Sequence, residues 1–301
     1  MLFYKYLWRN ALKGTVLYEV KEEVAILTVD NPPVNPLSDG VRTGLYESLV
    51  KAEEDDSVKG VVLTGNGRAF IAGADISEFG GNVEGIPLNE VFNKLEFCKK
   101  PVVAAINGVA LGGGLETALC CNYRIAAETA FVGLPEVNLG LLPGGGGTQR
   151  LPRLIGPGEA LKMMLSGSHV PAKKALEMGI VDKTSKDVVA ESIDFIKEMA
   201  SNNDNHPRVR DKNEKMLEAR GDENVLLEAQ AIAAKARKGQ FAPGQIIKCV
   251  EAAINIDDFD EGIKKEGEYF MECLFHPQRE AMIHIFFGER AASKISDVPK
   301  D

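Results

Sequence analysis

Lys100–Glu116 reads KPVVAAINGVALGGGLE. Its early part, Val102–Ile106 (VVAAI), is a short continuous apolar run, the pattern of a strand buried on both faces. Gly112-Gly113-Gly114 follow, and Leu115–Asn122 then reads as a helix. A chain that passes from a strand through glycines into a helix sets bare backbone at a helix N-terminus. The N–H groups there lack intrahelical acceptors, and the helix dipole adds partial positive potential. Glycine leaves those donors open to close approach. Such a place suits a developing oxyanion. Glu116 stands three residues beyond Gly113, so the two share a side of the first turn. A carboxylate beside N–H donors is what proton transfer next to a carbonyl needs. Spacing alone favours a plainer reading, in which the glycines serve close strand–helix packing and Glu116 is a favourable first-turn acid.

The alternation continues on both sides of this stretch. Thr15–Tyr18 and Val24–Val29 read as strands joined by the polar turn Lys21–Glu23, and Asn31-Pro32-Pro33 ends the second. Leu37–Glu54 is helical, with Val41, Leu45 and Leu49 four residues apart and Ser38 as N-cap. Val58–Thr64 is another buried strand, and Arg124–Ala126 and Phe131–Val132 are short ones. Strands alternating with helices to about Asp182 imply an α/β class. Beyond Val188 the β-rich runs stop. Asp187–Met199, Glu223–Lys238, Pro243–Asn255, Gly262–Leu274 and Pro277–Ser293 read as helices, with Ser201–Arg210 as a polar linker. In chain order this gives an N-terminal extension (1–14), an α/β core (15–187) and an all-helical region (188–301).

Composition narrows the function. The 301 residues are 45% hydrophobic and 26% charged, an ordinary globular balance. A net charge of −9 argues against a nucleic-acid partner. No apolar run has membrane-spanning length, and Met1–Gly14 lacks the core and cleavage site of a secretory signal. The five cysteines are an odd number without a CxxC pair, which fits a reducing, cytoplasmic compartment, with an organellar matrix as the alternative. The four histidines form no ligand-spaced pair, so no metal site is expected. There is no GxxxxGK[ST] and no strand-following GxGxxG, so no nucleotide cofactor is expected either.

Two more segments carry chemistry. Phe70–Ile76 (FIAGADI) follows the Val58–Thr64 strand, and Leu134–Gly147 (LPEVNLGLLPGGGG) contains Glu136 among apolar residues after a proline. A partly buried carboxylate is suited to holding or passing a proton. A solvated loop glutamate, and a tightly turned glycine loop at Gly144–Gly147, are the plain alternatives.

Taken together and in order, these pieces resemble the enoyl-CoA hydratase/isomerase (crotonase) superfamily. The matching stretches are NPPVN (Asn31–Asn35), AFIAGADI (Ala69–Ile76), Lys100–Glu116, LPEVNLGLLPGGGGTQRLPRLIG (Leu134–Gly156) and ALEMGIVD (Ala175–Asp182). Gly239–Ile254 and Asp260–Lys294 resemble one branch, the hydratase/isomerase part of bifunctional β-oxidation enzymes, which precedes a 3-hydroxyacyl-CoA dehydrogenase. The resemblance implies a ββα spiral core followed by helices. It implies an enoyl-CoA hydratase of fatty-acid β-oxidation, with Δ3-Δ2-enoyl-CoA isomerase as a side activity. A non-catalytic acyl-CoA-binding protein, a dedicated isomerase and a thioester hydrolase are the alternatives on this fold. By position, the backbone N–H groups of Ala74 and Gly113 match the oxyanion hole. Glu116 and Glu136 match the catalytic carboxylates, Gly144 matches a glycine beside the catalytic water, and Ala72, Gly73, Asp75 and Ile76 match the CoA-binding loop. Enoyl-CoA is then substrate and no cofactor is required. The implied partner is a second copy of the chain or a dehydrogenase half in a longer parent. One departure stands out: Phe286 fits the phenylalanine that stand-alone hydratases present to the CoA nucleotide, but Glu289 occupies their lysine position.

Overall fold

The computed structural model describes residues 14–78, 85–200 and 206–292. The extension expected at 1–14 therefore falls outside the described residues except for Gly14, as does the first half of the 201–210 linker.

The element order begins as a ββα repeat. The first repeat is β1 (Thr15–Lys21), β2 (Val24–Asp30) and α1 (Asp39–Glu54). The second is β3 (Gly60–Gly65), β4 (Ala69–Ile71) and α2 (Leu88–Glu96), and the third β5 (Val102–Ile106), β6 (Val109–Leu111) and α3 (Gly113–Cys120). Then follow β7 (Tyr123–Ala127), β8 (Phe131–Gly133), α4 (Gly147–Ile155), α5 (Pro157–Ser166), β9 (Val170–Pro171), α6 (Ala172–Met178) and β10 (Lys183–Ser185). The rest is helical: α7 (Val188–Ala200), α8 (Glu214–Ala219), α9 (Glu223–Ala236), α10 (Ala242–Asn255), α11 (Phe259–Phe275) and α12 (Pro277–Ala292).

The repeats sort their strands. β1-β2-β3-β5-β7-β10 form a six-stranded sheet, and β4-β6-β8-β9 a four-stranded one. β1 and β2 are an antiparallel hairpin, and β2, β3, β5 and β7 run parallel. The hairpin turn places Glu22 and Glu23 at φ 52° and 63°, the left-handed pair that the twist of a two-residue hairpin demands. β3 and β5 are buried throughout, as continuous apolar strands should be. One face is closed by α7, whose Val188, Ile193 and Ile196 pack with Val24, Ile26, Val62, Val103, Ala105 and Ile125. Each fully buried valine or isoleucine contributes about 1.5–3 kcal/mol. Arg124, 1% exposed, is satisfied by its bond to Asp182 at 2.9 Å and by the carbonyls of Ile180 and Cys121. The ALEMGIVD segment thereby pairs the buried cation.

Ser38 does precede α1, but its side chain makes no capping bond. Its hydroxyl accepts from Asn31 Nδ2 at 2.9 Å.

Packing groups the chain into two compact units that interleave along the sequence: 1–132 with 170–209, and 133–169 with 210–301. This grouping differs in two places from the chain-order division at Asp187/Val188. The helix α7 completes the core of the six-stranded sheet, and 133–169 groups with the later helices. Amphipathic periodicity in α7 shows that it has a buried face, not which partner covers it. In the second unit, α10 buries Ile246, Ile247, Cys249, Val250, Ala253 and Ile254.

Candidate active site

In the first unit, the segment after β4 and the start of α3 come together. Ala72 N donates to Val34 O at 3.1 Å, and Leu37 N donates to Gly73 O at 2.9 Å. Leu37 and Ala74 are bridged as parallel partners. Gly112 enters α3 at φ 54° and Gly113 is the first helical residue. The contacts here are backbone on backbone. A Cβ at Gly114 would lie 1.9 Å from Ile71 O, so only glycine fits. A Cβ at Gly113 would lie 3.3 Å from Ala74 N and 3.1 Å from Leu37 Cδ1. The Ala74 and Gly113 amides are thus neighbours. Two such donors, one of them at a helix N-terminus, can stabilise a developing oxyanion by about 3 kcal/mol each.

Glu116 lies one turn into α3, 3% exposed, with its N–H bonded to Gly112 O at 3.0 Å. The close strand–helix packing expected from spacing is present: glycine at 113 and 114 permits this backbone approach. Asp75 is buried, and Ile76 opens a one-turn 3-10 helix, Ile76–Glu78.

Sequence reading missed the residues that hold this segment in place. Arg42, 4% exposed, donates to Leu37 O at 2.8 Å, to Ile86 O at 3.0 Å and to the Glu78 carboxylate at 2.6 Å. Asn35 sits at φ 55° and donates to Ala69 O at 2.8 Å and Asn66 O at 2.9 Å. Asn107 bonds Gly65 O at 2.9 Å and Gly65 N at 3.1 Å, tying the ends of β3 and β5. For the two asparagines a signal existed: asparagine tolerates the left-handed region and bonds backbone locally. A lone arginine in a helix gives none.

Glu136 and Gly144 lie in the second unit. Glu136 is half-buried and opens the one-turn 3-10 helix Glu136–Leu139 after Pro135. Its carbonyl accepts from Leu141 N at 3.1 Å. Gly140 ends the turn at φ 70°, and α12 packs there: a Cβ on Gly140 would lie 3.0 Å from Arg279 Cα. Gly144 abuts the Phe270 ring, 2.5 Å from where a Cβ would be. Phe286 on α12 is half-buried and stacks edge-on with Phe287 at 5.6 Å, while Glu289 is exposed.

Four of the cysteines hold their protons more tightly than a free thiol. Burial pushes the Cys98 thiol up to about 11 and those of Cys121 and Cys273 to about 12, and Cys249 is raised too, also by burial. Among the described residues, no three His, Cys, Asp or Glu side chains gather as a metal site. A cavity of about 630 Å³ opens beside Val58, Pro101 and Asn122, at the starts of β3, β5 and β7. In chain order, the segments after β4 and β6 follow the carboxyl ends of β3 and β5, the end at which open α/β sheets bind ligands.

The enoyl-CoA hydratase/isomerase family model matches residues 19–245. The chain belongs to that family. It is 41% identical over 279 residues to the peroxisomal bifunctional enzyme of Danio rerio, covering 91% of this chain and 38% of that protein. It is 36% identical over 307 residues to the glyoxysomal fatty acid beta-oxidation multifunctional protein MFP-a of Cucumis sativus, covering 96% and 41%. The chain thus spans about two fifths of the length of the curated relatives it matches. An enoyl-CoA hydratase/isomerase structure from Pseudoalteromonas atlantica T6c aligns with a TM-score of 0.68 at 25% identity, covering 91% of this chain and 97% of that one. The fold is that of the family: a ββα core and a helical C-terminal region. No helix among the described residues is long and apolar enough to cross a membrane.

Proposed function

We propose that this hydratase/isomerase-family chain adds water across the 2-trans double bond of enoyl-CoA thioesters in fatty-acid β-oxidation, with Δ3-Δ2 isomerisation as a second reaction. The observation that carries the reading is the adjacency of the Ala74 and Gly113 amides, with buried Glu116 one turn beyond them. The two N–H groups polarise the thioester carbonyl and hold the enolate-like charge that follows attack at C3. Glu116 takes the proton from the attacking water. Glu136 delivers a proton to C2, and in the isomerase reaction carries one between C2 and C4. Gly144 flanks the water, and Ala72, Gly73, Asp75 and Ile76 receive CoA. These roles come from position in the family motifs. Retention of both glutamates favours hydration over chemistry that needs only one.

The chemistry needs no cofactor, since the acyl-CoA is itself the substrate. The relatives are named bifunctional or multifunctional, and the chain spans two fifths of them, which supports a role as the hydratase part of a longer protein. Any NAD-dependent dehydrogenase step would belong to the remainder. Their peroxisomal and glyoxysomal names favour an organellar matrix over the cytoplasm.

The test is direct. Purified protein is given 2-trans-enoyl-CoA, and loss of the enoyl-thioester absorbance is followed. 3-Enoyl-CoA is supplied separately and the products are analysed. Formation of 3-hydroxyacyl-CoA from the 2-enoyl substrate is expected. Binding without turnover would leave a non-catalytic acyl-CoA-binding protein, and release of free CoA would indicate a hydrolase.

A further inference from the structure

The glycine loop before α4 is seated on one stripe of α11. Gly262, Glu266 and Phe270 are four residues apart and so lie along one helix face. Each meets a different point of the loop. A Cβ on Gly262 would lie 2.5 Å from Gln149 Oε1. Glu266, 1% exposed, accepts from Gly146 N at 2.7 Å, from Thr148 N at 3.1 Å and from Thr148 Oγ1 at 2.5 Å. The Phe270 ring fills the space above Gly144. The stripe therefore contacts the loop in reverse order: 149, then 146 and 148, then 144.

Glu266 does the work that an N-cap side chain does elsewhere. Gly146 is the N-cap of α4, at φ 91°, and has no side chain to offer. The carboxylate of another helix supplies the acceptor and places negative charge at the positive end of α4. Charge-assisted bonds of this kind are stronger and more directional than neutral ones. Gln149 carries the tie onward, donating to Thr148 Oγ1 and to Cys249 O, each at 3.0 Å.

We propose that Glu266 and Phe270 are positioning residues for the hydration reaction: α11 is a template that fixes where Gly144 sits, and α4 is the fixed end from which the loop is hung. This rests on the reading above in which Gly144 flanks the catalytic water. The loop holds four glycines in a row, Gly144–Gly147, and so has little conformational preference of its own. The template supplies what the loop sequence lacks.

The experiment uses the whole chain and three variants: Glu266→Gln, Thr148→Val, which keeps volume but loses the hydroxyl donor, and Thr148→Ser, which restores it. Two readouts are taken on folded protein: amide hydrogen exchange of 143–148, and kcat and KM with crotonyl-CoA. Glu266→Gln and Thr148→Val should speed exchange in 143–148 about tenfold or more. They should lower kcat about 5–50-fold, as a misplaced reacting group does, with KM within about threefold. Thr148→Ser should return both readouts close to the parent protein. If Glu266→Gln does not fold, Thr148→Val against Thr148→Ser decides. Folded variants with parental exchange in 143–148, or with parental kcat, overturn the proposal. If the parent protein itself fails to hydrate, the functional reading falls and the exchange arm alone judges the seating.

Discussion

The Gly112–Glu116 segment and the Glu136–Gly147 segment carry one carboxylate each, and they are held in different ways. The first is fixed by backbone against backbone. Gly114 lies on the Ile71 carbonyl and Gly113 beside the Ala74 amide, within the first packing unit. The second is fixed from late in the chain, mostly by side chains: the Phe270 ring over Gly144, the Glu266 carboxylate on Gly146, and the Met282 sulfur with Arg279 backbone behind Gly140. A site held by its own strands has its reason written locally. A site held by distant helices depends on residues that nothing in its own sequence names.

The largest effect that would break this contrast comes from Gly114→Ala. A methyl group 1.9 Å from a backbone oxygen cannot be absorbed by a rotamer change. Loss of at least about 3 kcal/mol is expected, since overpacking at a rigid contact is at the costly end of core substitutions. Denaturant unfolding measures it. An unchanged midpoint would mean that this approach is not as tight as described.

Gly144→Ala should be milder, because it meets a side-chain ring, Phe270 Cδ2 at 2.5 Å, and not backbone. The Phe270 ring, 2.5 Å away, can be replaced. Combining Gly144→Ala with Phe270→Leu should recover stability relative to Gly144→Ala alone, with a coupling of about 1 kcal/mol or more in a double-mutant cycle. Additive effects would show that glycine at 144 answers to something other than the ring, and would remove the contrast between the two segments.

A smaller effect concerns the thiols. With Cys98 at about 11 and Cys121 and Cys273 at about 12, little thiolate exists at pH 8. Alkylation by iodoacetamide in the folded protein should run at least about tenfold slower than in urea-unfolded protein at the same pH. Equal rates would contradict the burial assigned to these cysteines.

The sequence made the long elements legible. VVAAI is β5 residue for residue, and the four-residue period in Val41, Leu45 and Leu49 gives α1. β4 and β6 were not seen, because each is three residues long and hidden inside a glycine motif. No periodicity survives in so few residues. The helix α4 was missed for another reason: it buries Arg150 and Arg153 and contains Pro152, all of which argue against a buried helix. Ala74, Gly113 and Glu116 were named from motif order, and all three belong to the first unit. Arg42, Glu266 and Phe270 were not. In a chain with 44 acidic residues, nothing marks Glu266 before α11 is seen against the loop.

The proposed function divides the labour: Glu116 serves the water and Glu136 serves C2. It is tested by measuring hydration and isomerisation on the same preparations of Glu116→Gln and Glu136→Gln, each checked for folding. Glu116→Gln should lose hydration about 10²–10⁴-fold, the span for a positioned acid–base group, while keeping a measurable share of isomerisation. Glu136→Gln should lose both. Near-normal hydration in Glu116→Gln, or equal loss of isomerisation in the two variants, would contradict it.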